Sequence, residues 1–65
     1  MDPNATLEVI ETELENRMIE PTSSRDESIK YFVEDLREWI QSEGFEPDWK
    51  AYPLATQYYH KTKNS

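Results

Sequence analysis

The side chains that could carry chemistry in this 65-residue chain are mostly carboxylates. There are fourteen Asp and Glu residues, a single histidine (His60) and no cysteine. Nucleophilic catalysis needs an activated nucleophile beside a base, and an oxyanion or phosphate site needs convergent backbone N–H groups, usually in a Gly-rich turn. The chain has one glycine. Without cysteine it can form neither a disulfide framework nor a thiolate metal site.

Carboxylate pairs one helical turn apart are the remaining candidates for catalysis. Glu34 with Glu38 and Glu11 with Glu15 have this spacing. General acid–base work requires a cleft that separates the two pKa values, and a short helical hairpin offers little cleft. No segment has the acid spacing and central glycine of a calcium loop. We therefore predict a protein that is not an enzyme and has no catalytic residue, metal or cofactor.

The charge is distributed unevenly along the chain. Residues 1–48 contain all fourteen acids and four bases, a charge of −10, whereas residues 49–65 contain three lysines and no acid, a charge of +3. The first part should repel nucleic acids and anionic membranes, so direct nucleic-acid binding is not expected. No apolar run approaches the ~20 residues of a membrane span, and no signal-peptide core is visible. These features predict a cytoplasmic protein.

Two amphipathic segments must position the carboxylates. The first is predicted to be a helix over about residues 4–19, with Asp2 as N-cap, Pro3 at the first helical position and Asn4 as an alternative cap. Its apolar residues recur every three or four positions, which places them on one stripe. They are Leu7, Ile10, Leu14 and Met18.

The second helix is predicted over about residues 25–43, with Ser24 and Glu27 forming a capping box at its start. Gly44 stands where a left-handed residue after the helix is favoured, and Phe45 follows where it can pack back on the last turn. The apolar stripe of this helix is the longest in the chain. It consists of Ile29, Phe32, Val33, Leu36, Trp39 and Ile40.

The predicted fold class is all-α: an antiparallel helix hairpin closed by an aromatic C-terminal segment. Two helices leave one side of the second stripe uncovered, so either this segment or a second copy of the chain must cover it. Trp49, Tyr52 and Tyr58 are expected to do so. Residues 54–61 form either a short third helix that presents Leu54 and Tyr58 or an extended arm. We predict one domain over residues 1–60 and a flexible tail over 61–65.

The outer face of the second helix is the candidate binding surface. Carboxylates one turn apart stand about 6 Å from each other, of the same order as the phosphates along a nucleic-acid strand. Such a face can imitate nucleic acid in a basic groove, or it can simply keep the protein soluble. The candidate partner-binding residues are Glu27, Tyr31, Glu34, Asp35, Glu38 and Tyr59.

Two stretches, "DPNATLE" (2–8) and "WIQSEGFEPDW" (39–49), resemble small uncharacterised helical proteins of phage and bacterial genomes. The resemblance implies a helical fold and a microbial or phage origin, hence the cytoplasm of a bacterium or of an infected host. It implies no activity and no site residues. We predict a small acidic module that binds a protein partner, regulates it, or self-associates. The alternatives are a phage-type inhibitor that mimics nucleic acid at a basic site on a host protein, and a structural subunit of a larger assembly.

Overall fold

A computed structural model describes residues 2–42 and 44–63 of the chain. Within these residues there are three α-helices and no strand: α1 (Pro3–Ile19), α2 (Ser23–Gln41) and α3 (Pro53–Lys63). A single 3-10 turn, Trp49–Ala51, precedes α3. The all-α hairpin with a short third helix is therefore confirmed. None of the described helices combines the length and the apolar character needed to cross a membrane.

The start of α1 follows the predicted capping pattern. The Asp2 carboxylate accepts hydrogen bonds from the backbone N–H groups of Asn4 (3.0 Å) and Ala5 (3.3 Å), and Pro3 occupies the first helical position. Proline fits there because the first N–H of a helix has no intrahelical acceptor. Since Asp2 supplies the cap, the Asn4 side chain is available for another contact. Its Oδ1 accepts a hydrogen bond from the backbone N–H of Asp48 at 2.6 Å.

The junction between α1 and α2 differs from the prediction. Thr22, and not Ser24, is the N-cap of α2, and its hydroxyl oxygen accepts from the Arg25 N–H at 3.2 Å. The Arg25 guanidinium reaches back to α1, where Nη1 donates to the Glu20 carbonyl at 2.7 Å and Nε lies 3.3 Å from the Glu13 carboxylate. Arginine satisfies the terminal carbonyls of α1, which have no intrahelical donor. This contact brings the start of α2 against the end of α1 and favours the earlier cap.

The end of α2 also differs from the prediction. The helix ends at Gln41 with Ser42 as C-cap, so Gly44 lies one position beyond the expected C′ site. Its N–H donates to the Trp39 carbonyl at 3.0 Å, the bond that a Schellman motif makes from C″ to C3. The backbone of Gly44 is not left-handed; instead, a Cβ at this position would overlap the Trp39 indole. Glycine is needed here for the close approach of a ring.

The core lies between the helices and comes from all three of them. Leu7, Ile10 and Leu36 are fully buried, as the stripes predict, but Met18 at the end of the first stripe is 69% exposed. Burial of each large aliphatic side chain contributes about 1.5–3 kcal/mol. The other members of the buried core cluster are Leu14, Ile29, Val33, Ala55 and Tyr59.

The C-terminal segment covers the open side of the hairpin. Trp49 is partly buried and its ring centroid lies 5.1 Å from that of Tyr59. Pro53, at the first position of α3, starts this helix, and residues 61–63 extend it into the segment predicted to be a tail. Asn64 and Ser65 lie outside the described residues. Phe45 packs edge-to-face on Trp39 with a centroid separation of 5.7 Å, so it does fold back on the last turn of α2.

Candidate functional site

The acidic face of α2 is the exposed side of that helix and is formed by residues that share one stripe. Tyr31 lies at the centre of this face and is 63% exposed. The carboxylates around it are exposed as well. At 100° per residue this stripe points away from buried Ile29 and Leu36. The acidic face is defined by Glu27, Tyr31, Glu34, Asp35 and Glu38.

Within the described part of the chain, the four carboxylates of this face have no salt-bridge partner. The carboxylates that are paired lie elsewhere: Glu13 contacts Arg25, and Asp26 contacts Arg17 at 3.2 Å. The last turn of α2 contains no basic residue, although the negative end of the helix dipole favours one there. Glu38 therefore adds its negative charge to that of the helix terminus. The acidic face therefore carries four negative charges and no positive one.

The helix sets the spacing of these charges. Glu27 and Glu34 are two turns apart, about 10.5 Å along the axis, and Glu38 is about 6 Å further on. Since Ile29, Val33 and Leu36 hold the other side of α2 in the core, the charges sit on a packed scaffold rather than on a loop. The structure thus brings together five of the six predicted partner-binding residues on one surface.

Tyr59, the sixth predicted residue, does not belong to this surface. It is 4% exposed and lies in the core, with the Arg37 guanidinium 5.1 Å from its ring centroid. Arg37 also donates to the Tyr59 carbonyl at 3.3 Å and to the Thr62 hydroxyl at 3.1 Å. A side chain buried in this way cannot meet a partner. The prediction for Tyr59 was wrong, whereas Tyr58, with Trp49 and Tyr52, is partly buried and packs against the core as expected.

A second surface, which the sequence did not reveal, is a groove between α1 and α3. Its lining includes the partly buried Tyr58 and the two bases Arg17 and Lys61. The Arg17 guanidinium lies 5.7 Å from the centroid of the Tyr58 ring. We call this surface the Tyr58 groove; it is lined by Leu14, Arg17, Met18, Leu54, Gln57, Tyr58 and Lys61.

Basic residues collect around Tyr58. A neighbouring groove between α2 and α3 shares this tyrosine and is lined by Lys30 and Arg37, with Glu34 as its acid. Four of the seven bases in the chain therefore border the two grooves. No local sequence pattern predicts this cluster, because its members come from three helices and are brought together only by the packing of those helices.

Two residues considered for catalysis, Glu11 and His60, make contacts that stabilise the fold. Glu11, from one of the carboxylate pairs, accepts a hydrogen bond from the Ala55 N–H at 2.8 Å and so caps the start of α3. The His60 ring packs against Trp49, with a centroid separation of 5.1 Å. Among residues 2–42 and 44–63, no group of three or more His, Asp and Glu side chains is placed to hold a metal ion.

No family model matches the chain, and neither a curated protein nor a solved structure matches it. Two surfaces are therefore the candidates for binding, the acidic face of α2 and the Tyr58 groove. They differ in the sign of their charge and lie on different elements. Each is accessible from solvent.

Proposed function

We propose that the protein is a non-catalytic binding module that engages a protein partner through the acidic face of α2. The observation that carries this proposal is the row of four carboxylates around Tyr31, none of which has a salt-bridge partner in the described part of the chain. The partner surface that suits it is basic, with an apolar contact for the tyrosine ring.

Tyr31 separates this proposal from a purely solubilising role. A solubilising surface needs scattered charge and gains nothing from an aromatic ring, whereas tyrosine is enriched at interfaces because it combines apolar area with a polar tip. Tyr31 is 63% exposed and its ring stands edge-on to Phe32, with 5.8 Å between centroids. This contact restricts the ring before a partner arrives, which lowers the entropy lost on binding.

The spacing of the carboxylates favours one kind of partner, a protein that binds nucleic acid. Glu34 and Glu38 are about 6 Å apart, of the same order as successive phosphates. A basic groove built for a phosphate backbone can accept such a row. In this version the protein acts as an inhibitor that competes with nucleic acid for the same groove, and the microbial or phage origin implied by the sequence resemblance belongs to the proposal.

The experiment is affinity capture from a nuclease-treated bacterial lysate with the immobilised protein. The test variant Glu27→Lys/Glu34→Lys reverses two charges of the acidic face. The matched control Glu8→Lys/Glu15→Lys makes the same change of charge at the same seven-residue spacing, on exposed positions of α1. The proposal expects a protein captured by the wild type and the control, with affinity for the test variant lower by about tenfold or more, equal to about 1.4 kcal/mol.

Two further measurements define the partner. Tyr31→Ala should weaken capture if the ring is an anchor, with circular dichroism showing that α2 remains folded. Added DNA at low salt should displace the captured protein if the acidic face occupies a nucleic-acid site, because charge contacts to phosphates dominate such binding. Capture that survives saturating DNA removes the mimicry version. Equal capture by the test variant and the wild type removes the acidic face as the binding surface.

A further inference from the structure

The Tyr58 groove has a pattern of charge and apolar surface that calls for a specific complement. Its lining combines the apolar side chains of Leu14, Leu54 and Tyr58 with two cationic side chains, Arg17 from α1 and Lys61 from α3. Met18 also lines the groove and is 69% exposed, although its spacing places it on the core-facing stripe of α1. The groove thus offers an apolar surface together with two cations.

The complementary pattern is present on the same chain. On the acidic face of α2, exposed Tyr31 has Glu27 one turn before it and Asp35 one turn after it. Side chains one turn apart stand about 6 Å from each other. This surface therefore presents an aromatic ring between two anionic side chains. The groove belongs to α1 and α3, whereas this pattern belongs to the outer side of α2, so one copy cannot bring the two together.

We propose that the Tyr58 groove binds the acidic face of α2 from a second copy of this chain, an inference that rests on the binding role proposed above for that face. Tyr31 of the second copy packs on the apolar lining of the groove. Glu27 and Asp35, on either side of this ring, meet Arg17 and Lys61. Arg17 already pairs with Asp26 at 3.2 Å. A guanidinium has five N–H donors, so it can serve a second carboxylate as well.

The expected interaction is weak and concentration-dependent. The described surface of one copy has an area of 4570 Å². A standard interface takes about 800 Å² from each partner, a large share of so small a protein, so contact through one groove falls at the lower end of the size range. The net charge of −7 on each copy opposes association. At 0.15 M salt the screening length of about 8 Å weakens that long-range repulsion more than it weakens direct contacts.

The experiment is analytical ultracentrifugation of purified full-length protein at about 0.15 M salt, over micromolar to millimolar concentrations. Wild type should show a weight-average mass that rises with concentration. The face variant Glu27→Lys/Asp35→Lys, which reverses both carboxylates beside Tyr31, and the groove variant Lys61→Glu should each remain monomeric. An equimolar mixture of the two variants should associate again, since the unchanged face of the groove variant fits the unchanged groove of the face variant.

Matched controls separate this contact from a general charge effect. Glu8→Lys/Glu15→Lys has the same net charge as the face variant, and Lys50→Glu has the same net charge as the groove variant; both should associate like the wild type. Circular dichroism establishes that every variant is helical. A wild type that stays monomeric to millimolar concentration overturns the inference, as does a variant mixture that does not associate. Either result leaves capture of another protein by the acidic face intact, because that is measured separately.

Discussion

The helix hairpin (residues 3–41) and the C-terminal segment (residues 44–63) are held in different ways. In the hairpin, the caps come from neighbours in sequence: Asp2 caps Asn4 and Ala5, and Thr22 caps Arg25. In the C-terminal segment, the corresponding backbone groups are satisfied from far away. Asn4 accepts from Asp48, and Glu11 accepts from Ala55, in both cases across 44 residues.

This difference explains how the 20-residue C-terminal segment, which has few local caps, is held in a defined position on the hairpin. Asn4 and Glu11 are seven residues apart on α1, which is two turns, and so lie on the same side of the helix. Their partners, Asp48 and Ala55, are also seven residues apart. The two acceptors on α1 therefore fix both ends of the connection that leads into α3. Arg37 of α2 holds the far end of α3 through the Tyr59 carbonyl and ring.

The largest expected effect tests whether the two regions fold as one unit. Ile10→Ala in the hairpin should cost about 2–5 kcal/mol, and Tyr59→Ala in the C-terminal segment a similar amount, because both side chains are buried. The whole domain is expected to have only about 3–10 kcal/mol of stability. Thermal unfolding should be followed by circular dichroism and by tryptophan fluorescence. Coincident transitions in the wild type and a large loss in both variants would support a single unit.

A different response of the two variants would show that the hairpin and the C-terminal segment unfold separately. If Tyr59→Ala leaves the hairpin helices intact while the C-terminal segment detaches, helicity should fall by about the share of α3, with most of the wild-type melting transition retained. In that case the long-range caps would hold an accessory segment and not a part of the core.

Gly44→Ala is expected to have the next largest effect, since the new Cβ would overlap the Trp39 indole. Displacing a packed ring costs about 1–3 kcal/mol. Chemical denaturation measures the loss. The same substitution in a Trp39→Ala background should cost much less, because the obstructing ring is gone. A loss that is equal in both backgrounds would place the cost in the backbone of Gly44 instead.

The cap supplied by Glu11 should be worth less. Glu11→Ala leaves the Ala55 N–H without its acceptor and should destabilise by about 0.5–2 kcal/mol, as the loss of a helix cap does. Glu11→Gln keeps an acceptor oxygen and should recover part of this stability. Glu15→Ala, on an exposed position of the same helix, is the control and should change stability by less than about 0.5 kcal/mol. Equal effects of Glu11→Ala and Glu15→Ala would contradict the capping role.

The ion pair between Arg17 and Asp26 should contribute least. Its side chains are 37% and 57% exposed, and exposed pairs contribute about 0.2–1 kcal/mol. Asp26→Ala should therefore cost less than the loss of the Glu11 cap, and the cost should shrink at 1 M salt, where the screening length is about 3 Å. Measuring denaturation at low and high salt checks this. A salt-independent loss would contradict an electrostatic role for Asp26, because salt screens both the ion pair and the interaction of its charge with the dipole of α2.

The hairpin was predictable because its signals are local and periodic. Leu7, Ile10 and Leu14 recur at helical spacing and are buried, and the same is true of the central residues of the α2 stripe. Asp2 with Pro3 marks the start of α1 within two residues. The acidic face of α2 followed directly, since residues at the opposite helical angle to a buried stripe must face solvent.

The helix boundaries near the junctions were less predictable. Ser24 with Glu27 fits a capping box as well as Thr22 fits an N-cap, and the local pattern alone does not rank them. The contact of Arg25 with the end of α1 favours the earlier start. Gly44 likewise fits a left-handed cap on sequence grounds, but its role depends on where the Trp39 ring lies.

The sequence by itself determined the two helices of the hairpin, the buried side of each, and the row of carboxylates around Tyr31. Each depends on residues within a few turns of one another, for which helical geometry is sufficient. Only the tertiary structure decided that Tyr59 is buried, that Glu11 caps α3, and that Arg17 and Lys61 line one groove with Tyr58. These arrangements depend on how α3 crosses the hairpin, and that is set by contacts between residues far apart in the chain.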